Sequence, residues 1–369
     1  MAAGSQGARV KSEPKRVTLA HVAHRAGVST STVSLAFGRG GPISSAMRER
    51  VIAAAAELGY AGPDPRAASL RRGRSGLIGV VLGERLGGAF RDPIRVALLD
   101  GISEAVGNAG SGLALLGDTD GGPLNISTAP VDAVIFFGCS TGLDSPLADI
   151  RRRGLPMVEM EGMSADDVYV IDSDNRGASR TGAEHLRSLG HERVAIVSLP
   201  LDQECSSFVF DAAYPLLGHS FVAEERILGV RDVYPEAGGS TSRASLVEEG
   251  RLAGKVLLGG AADSERPLDQ EVRPTGVVAQ SDLLALGVIR AAEELGLRVP
   301  QDVSVVGFDG ILLDGLSEVE LSTLVQPAQA KGRAAGEAAL ALIEGESVPP
   351  QSFHAVLRVG ATTGPVPSS

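Results

Sequence analysis

The chain has 369 residues, of which 43% are hydrophobic and 21% are charged, and its formal net charge at pH 7 is −11. The length predicts two or three domains with large buried cores, and the composition is typical of a soluble globular protein. No apolar run is long enough to span a bilayer, and the first 16 residues lack the apolar stretch of a secretory signal, which excludes both.

The charge is unevenly distributed along the chain. Residues 1–75 contain 12 Lys and Arg but four Asp and Glu, whereas residues 76–369 contain 22 against 41. A basic head on an acidic body is typical of a protein that meets a polyanion at one end. A basic N-terminal arm is also common as a plain solvated segment, and we expect residues 1–16 to be a disordered leader. The two cysteines, Cys139 and Cys205, are far apart in the sequence, so we expect a reducing, cytoplasmic environment. Neither has neighbouring Cys or His at metal-ligand spacing, so we expect no metal or other cofactor.

Residues 17–62 predict a small domain of three short helices. Gly27 and Val28 form a tight turn, and Ser29 caps the second helix. The residues at helical spacing that would bury one small core are Leu19, Val22, Ala23, Ala26, Val28, Val33 and Phe37. Two helices joined by such a turn present the second to the DNA major groove, as in a helix-turn-helix. The alternative is an ordinary helical bundle that caps an enzyme.

Polar residues 29–32, Ser-Thr-Ser-Thr, begin the second helix. Their hydroxyl groups and the unpaired amides of a helix N-terminus suit phosphate oxygens and base edges. The pattern therefore indicates that this helix reads DNA.

Residues 63–75 predict a linker or hinge. Pro63 and Pro65 end the preceding helix, and residues 66–72 could form about two helical turns. A helix this short is unstable alone in water, so it needs a partner such as a second copy at a DNA minor groove. Composition alone favours the alternative, a flexible basic linker.

From Gly76 onward, strands alternate with helices. This rhythm predicts an α/β core with doubly wound parallel sheets, two of them given the strand count, with ligands at the carboxyl ends of the strands. The predicted strands are 77–82, 113–116, 131–137, 155–160, 169–171, 193–199, 276–279 and 303–308, and the predicted helices are 94–106, 147–153, 178–189 and 283–295.

Six segments resemble the lactose- and purine-repressor (LacI/GalR) family of bacterial transcription regulators, in the family's order and at nearly its spacing. They are residues 17–34, 58–60, 67–81, 172–197, 277–310 and 322–345. The resemblance implies a helix-turn-helix head, a hinge helix, and a two-lobed core like that of periplasmic sugar-binding proteins. It also implies a homodimer or tetramer that binds a pseudo-palindromic double-stranded DNA operator under the control of a small effector, with no membrane partner.

By the same resemblance, residues 76–369 form the effector-binding and dimerisation core. The chain is expected to cross between the lobes near Asp172, Gly310 and Gly345. The first lobe would then comprise residues 76–172 and 312–345, and the second lobe residues 173–311 and 346–369.

The residues of the head carry over by position. Thr30, Ser31 and Leu35 fall where the family contacts bases, and Leu70 falls at the wedge in the minor groove. Leu35 cannot donate a hydrogen bond, so it suits a thymine methyl group. The hinge is one residue longer than in the family, and Ala68 replaces a usual Arg, which leaves its register open. The candidate DNA-contacting residues are Thr18, Ser29, Thr30, Ser31, Ser34, Leu35, Arg39, Ser44, Arg48, Ala67 and Leu70.

The resemblance also suggests an effector site. Asp282 matches a cleft aspartate that bonds ligand hydroxyls or purine edges in relatives, although a cap for the following helix is the alternative from the residues alone. The candidate effector-binding residues are Phe90, Arg91, Asp92, Glu161, Gln203 and Asp282. The acidic members of this set disfavour an anion, and a phosphorylated sugar in particular.

Three departures from the family concern this site. Gln203 and Val209 stand where relatives carry arginines that clamp the ligand, so the sequence predicts no bidentate guanidinium. The segment after Leu116 is short and rich in Gly and Pro where a helix is expected, and Gly360 replaces an Arg. These departures predict an unusual or uncharged effector, or none.

The sequence favours a DNA-binding regulator, most simply a repressor, over an enzyme or a transport protein. The chain has no dinucleotide-binding, P-loop or nucleophile-elbow motif, and Asp172 and Asp174 fall in the family's crossing segment rather than in a catalytic pair. A transport binding protein would lack the helix-turn-helix. A regulator with a degenerate pocket, controlled by a protein partner, remains an alternative.

Overall fold

The computed structural model divides the chain into two compact units, Met1–Ser75 and Gly76–Ser369. The predicted leader and most of the predicted hinge helix lie outside the residues that it describes. The described residues are 17–38, 43–62, 73–82, 90–117, 125–137, 144–162, 167–202, 204–217, 220–311 and 320–367. Within these stretches, no helix is both long and apolar enough to cross a membrane.

The first unit contains three helices in its described part. They are α1 (Leu19–Ala26), α2 (Thr30–Phe37) and α3 (Ser45–Glu57). Their apolar faces share one core, in which Val22, Val33 and Val51 are completely buried. Of the predicted core residues, Ala23 and Ala26 are buried as well, and Leu19, Val28 and Phe37 pack around the edge. The core is small, so it fixes the angle between α1 and α2 with few side chains.

The second unit contains two sheets. The first sheet is entirely parallel. Its strands, in spatial order, are β12 (Gln351–Phe353), β5 (Tyr169–Ser173), β4 (Met157–Met160), β3 (Ala133–Phe137), β1 (Leu77–Val81) and β2 (Gly112–Leu116). Because β1 lies between β2 and β3, chain order reverses there, and the sheet is wound in both directions.

The second sheet is parallel except at its two edges. Its order is β13 (Val356–Arg358), β11 (Ser322–Val325), β10 (Ser304–Asp309), β9 (Gly276–Ala279), β6 (Val194–Ser198), β8 (Gly239–Thr241) and β7 (Val209–Phe210). The edge strands β13 and β7 are antiparallel to their neighbours. Sequence analysis assigned no element to residues 200–275, which hold β7, β8 and two helices.

Helices cover both faces of each sheet, as the alternating pattern predicted. The helices of the first lobe are α4 (Pro93–Asn108), α5 (Asp144–Arg153) and α10 (Ala328–Ile343), and those of the second are α6 (Asn175–Ser188), α7 (Phe221–Arg231), α8 (Val247–Gly259) and α9 (Asp282–Glu294). Separate apolar clusters fill the two sides of each sheet. The α/β, doubly wound class is therefore confirmed.

The lobe boundaries predicted from the sequence need correction at two of the three crossings. The chain does leave the first sheet after β5, close to Asp172. Strand β11, beyond Gly310, still belongs to the second lobe, however, because it pairs with β10, and the chain returns to the first lobe near Gln326. It then stays in the first lobe beyond Gly345, because β12 pairs with β5, and crosses near His354. Strand pairing, which local sequence does not specify, sets both positions.

Glycines allow α4 and α10 to pack backbone to backbone. A Cβ atom on Gly101 would overlap the carbonyl oxygen of Gln329, and one on Gly332 would overlap that of Leu98. Gly107, on the same helix as Gly101, has no atom within 4 Å of a Cβ position. Helix packing in the first lobe therefore requires glycine at two positions and not at the third.

We expect Gly101→Ala to destabilise the core by about 2 kcal/mol or more, because the two helices must separate. Gly107→Ala is the matched control and is expected to stabilise the chain by about 0.5–1 kcal/mol, since alanine is the better helix former. Urea denaturation of the three proteins measures both changes. Equal midpoints for the two variants would contradict the packing account.

Candidate DNA-reading surface and ligand cleft

The turn between α1 and α2 is built by its end residues. Gly27 ends α1 with a φ of 64°, a left-handed conformation that favours glycine. The Ser29 hydroxyl accepts a hydrogen bond from the Thr32 amide at 3.2 Å and lies 2.9 Å from the Thr32 hydroxyl. Ser29 is thus occupied as the cap of α2, and the turn it completes sets the direction of that helix.

One face of α2 packs inward and the opposite face is exposed. Val33 and Ala36 are buried, whereas Thr30 and Ser31 are exposed and Leu35 is 40% exposed. Ser34 is half-buried at the edge of that face. The structure therefore brings the three predicted base-reading residues to one accessible surface with an apolar group beside two hydroxyls.

The other predicted DNA contacts are distributed around the head. Thr18 caps α1, and its amide donates to Nδ1 of His21 at 3.1 Å. Ser44 caps α3 by accepting from the Met47 amide at 3.3 Å. Arg48 Nη1 donates to the carbonyl oxygens of Ala36 at 2.6 Å and Gly38 at 3.1 Å. Arg48 therefore secures the C-terminal end of α2, a structural role that sequence analysis did not foresee. Arg39, Ala67 and Leu70 lie outside the described residues.

In the core, the carboxyl ends of the strands of both lobes carry polar side chains. Glu161 follows β4 in the first lobe, and Asp309 ends β10 in the second. Both have left-handed backbone conformations, with φ of 61° and 115°. Such strained non-glycine residues concentrate at binding sites, where the surrounding structure holds them. The two positions are therefore candidates for the ligand cleft expected of this fold.

Asp282, which the resemblance places in the effector site, makes its hydrogen bonds within the second lobe, and its contact with an effector stays a prediction. Its side chain is completely buried. One carboxylate oxygen accepts from the Ile311 amide at 2.8 Å and the other from the Thr323 hydroxyl at 2.5 Å. The helix-cap alternative is wrong, because Ser281 caps α9 by accepting from the Leu284 amide. Asp282 thereby ties α9 to Ile311, which follows β10, and to Thr323 of β11.

Burial raises the pKa of Asp282 to about 7, against the lowering effect of its hydrogen bonds. The folded chain then holds a proton that the unfolded chain releases near pH 4, so stability falls as pH rises from 4 to 7. We expect Asp282→Asn to remove this part of the slope, as measured by urea denaturation at pH 5 and pH 7.5. The exposed Asp263→Asn should leave the slope unchanged, and equal slopes in both variants would contradict the assignment.

Arg226 supplies the guanidinium that sequence analysis did not find. It projects from α7, is 3% exposed, and lies over the ring of Phe308 at 3.5 Å from the centroid. Its Nε donates to Asn175 at 2.8 Å and its Nη1 to the Gln280 carbonyl at 2.6 Å. Arg226 is therefore a buried guanidinium near the carboxyl end of β10, and its contact with a ligand stays a prediction. Val209 is 63% exposed on an edge strand, and Gln203 lies outside the described residues.

Asp309 is the second cleft residue that sequence analysis missed. Its carboxylate lies 4.0 Å from Arg226 Nη1 and accepts a hydrogen bond from the side-chain amide of Gln326 at 2.6 Å. Burial raises the pKa of Asp309 well above its usual value, and the charges of Asp92 and Asp282 add to this effect, against the lowering effect of Arg226. The clue in the sequence was an acidic residue directly after a buried strand.

The remaining predicted effector residues come from the first lobe. Asp92 is buried and caps α4 by accepting from the Ile94 amide at 3.2 Å, and its charge reaches Asp309. Phe90 is 59% exposed and Arg91 is exposed. Glu161 forms an ion pair with Lys331 of α10. Burial alone would raise the pKa of Glu161, but Lys331 and Arg226 lower it to about 2.

A small cavity of about 10 Å³, room for about one water molecule, lies where the three crossings meet. Its lining includes Glu161 and Gln326 from the polar cluster, Phe308, and the crossing residues Asp174 and His354. The cavity therefore adjoins the groups that ligand binding would use, at the point about which the lobes are connected. The described residues contain no group of three or more metal-binding side chains.

Comparisons with known proteins agree with both parts of this arrangement. Residues 18–62 match the family model of bacterial regulatory proteins of the lacI family, and residues 183–363 match a periplasmic binding protein-like domain. The HTH-type transcriptional regulator IpsA of Corynebacterium glutamicum is 32% identical over 371 residues, which cover 95% of this chain and 98% of IpsA.

Two solved structures share the fold over nearly the whole chain. The transcriptional regulator CelR in complex with cellobiose is 26% identical, with a TM-score of 0.62 and coverage of 94% of this chain and 100% of that chain. The lac repressor dimer bound to operator and the anti-inducer ONPF is 23% identical, with a TM-score of 0.70 and coverage of 95% and 100%.

A helix-turn-helix head joined to a core of two doubly wound lobes defines a DNA-binding transcription regulator with a ligand-binding type of core. This chain belongs to the LacI family of bacterial transcription regulators. The enzyme alternative is thereby set aside, since the family and the relatives are transcription regulators.

Proposed function

We propose that this protein is a repressor that binds a pseudo-palindromic operator as a homodimer, with its DNA affinity controlled by a small molecule in the cleft. The observation that carries the DNA-binding part is the exposed face of α2, with Thr30, Ser31 and Leu35 beside one another. Hydroxyl groups can bond base edges, and the leucine can contact a thymine methyl group.

The dimeric part of the proposal rests on the hinge sequence. A basic segment at residues 66–72 has too little apolar surface to fold alone, and a second copy at a minor groove would provide the missing contacts. Leu70 would then be the wedge between base steps. The lac repressor bound to operator, a protein of the same fold, is a dimer.

The effector part of the proposal rests on Arg226 and Asp309, which offer donors and acceptors side by side at the cleft. A sugar-like or nucleoside-like molecule presents hydroxyl groups that can use both. CelR, a relative in fold, binds cellobiose. These groups favour a functioning small-molecule site over a degenerate one controlled by a protein partner.

Two assays test the proposal. A duplex selected from a random library should be palindromic, and removal of one half-site should abolish specific binding by the intact protein. Leu70→Ala should weaken specific binding far more than nonspecific binding, because only a bent site accepts the wedge. Binding that depends on one half-site, or equal losses on both kinds of DNA, would contradict the dimeric model.

A further inference from the structure

Lys331 is the most unusual residue of the core outside the groups already described. It lies in the middle of α10 and is 1% exposed, among the completely or nearly completely buried alanines of the same helix, Ala334, Ala335, Ala338 and Ala339. Burial costs an ammonium group several kcal/mol of solvation free energy, and a nearby anion can offset this cost. An apolar side chain would serve packing at this position better, so the lysine needs another explanation.

Its contacts point toward the cleft. Lys331 Nζ donates to Glu161, which follows β4, and to the side-chain oxygen of Gln326 at 2.7 Å, where the chain crosses between lobes. An ammonium group has three N–H donors, and these are its two hydrogen bonds among the described residues. Lys331 therefore connects the first-lobe side of the cleft to the crossing segment.

The same chain of hydrogen bonds continues into the second lobe. Because Gln326 accepts from Lys331, its amide nitrogen faces Asp309 and donates at 2.6 Å. Asp309 in turn lies 4.0 Å from Arg226. Along this series, Glu161 has the buried cation Lys331 beside it, and Asp309 has the buried cation Arg226 beside it. Removal of Lys331 alone would leave Glu161 without its ion-pair partner and with the charge of Arg226 as its remaining compensation.

We propose that Lys331 is a specificity-determining residue of the effector site, which compensates Glu161 and thereby restricts the cleft to uncharged polyhydroxy compounds. This inference rests on the proposed effector function. A neutral compound with adjacent hydroxyl groups can donate to the carboxylates and accept from the cations without adding charge to a buried site. A ligand with an amino or phosphate group would add a charge to the buried site.

The test uses the intact protein and three matched probes: D-glucose, D-glucosamine and D-glucose 6-phosphate, with ribose and ribose 5-phosphate as a second set. Thermal unfolding is followed against probe concentration, since binding to the folded state raises the midpoint. The variant is Lys331→Met. The control is Lys255→Met. Lys255 is another buried lysine, on α8, and its Nζ lies 3.1 Å from the carboxylate of Glu294 on α9.

We expect neutral probes alone to stabilise the unmodified protein. Lys331→Met should need about 10–100-fold more neutral sugar for the same shift and should gain a response to glucosamine, because Glu161 is left without its cation. Lys255→Met should keep the original selectivity. If Lys331→Met lowers the yield of folded protein, the double variant Lys331→Met/Glu161→Gln removes both charges, and it should fold and show no response to glucosamine.

The outcomes separate this inference from the proposed function. Unchanged selectivity in Lys331→Met would overturn the role of Lys331 and leave effector binding intact. A response of the unmodified protein to charged probes only would overturn the restriction to neutral ligands. No response to any probe would overturn both the inference and the proposed sugar-like effector class.

Discussion

The double variant Thr30→Ala/Ser31→Ala is expected to bind a selected operator at least about 100-fold more weakly than the unmodified protein, since each lost base contact is worth about 1–3 kcal/mol. Both side chains are exposed on α2 and contribute nothing to the core of the head. Alanine is also the better helix former, so the head should remain folded. Fluorescence anisotropy with labelled duplexes measures the change.

Two controls separate base reading from general effects. Thr30→Ser keeps the hydroxyl group and should retain most of the affinity. Ala53→Ser places a hydroxyl on an exposed position of α3 and should change nothing. Nonspecific binding to a scrambled duplex should be nearly the same in all variants, because phosphate contacts carry no sequence information. An equal loss on operator and scrambled DNA would contradict the assignment of α2.

The second large effect is expected in the core. Arg226→Met should destabilise residues 76–369 by about 3 kcal/mol, because the change removes charge-assisted hydrogen bonds and leaves Asp309 buried without its cation. It should also abolish stabilisation by the neutral sugars used above. Urea denaturation gives the first quantity and thermal unfolding with ligand the second.

Arg176→Met is the matched control for this variant. Arg176 makes two hydrogen bonds to Asp232, at 2.8 and 2.6 Å, but both lie at the surface. Exposed ion pairs contribute little to stability, so this variant should resemble the unmodified protein in both assays. A similar loss in the two variants, or an unchanged ligand response in Arg226→Met, would remove Arg226 from the cleft.

The head could be predicted from sequence because its determinants are local. Gly27, Ser29 and the apolar residues of α1 and α2 lie within 20 residues of one another, and each acts through the turn or helix that contains it. Even here, the sequence predicted a DNA contact for Arg48 but not its hydrogen bonds to the carbonyl oxygens at the end of α2. That contact joins two helices, so a one-dimensional pattern does not contain it.

The cleft was harder to predict because its residues come from distant segments. Arg226 lies on α7, 28 residues after the end of β6, and its partners Asn175, Gln280 and Asp309 come from three other segments. Asp282 and Asp309 both lie near the ends of buried strands, and only the three-dimensional structure shows that Asp282 bonds Ile311 while Asp309 bonds Gln326. Lys331 gave no signal at all, since its helix reads as an ordinary amphipathic one.

The most direct test of the account is equilibrium binding of the intact protein to its selected operator across a salt series. We expect the operator to be bound at least about 1,000-fold more tightly than a scrambled duplex. Affinity should also fall steeply, by about 10³-fold or more between 50 and 200 mM salt, as phosphate contacts release counterions. No affinity for any duplex in dilute buffer, or a response independent of salt, would contradict the claim that the basic head reads DNA.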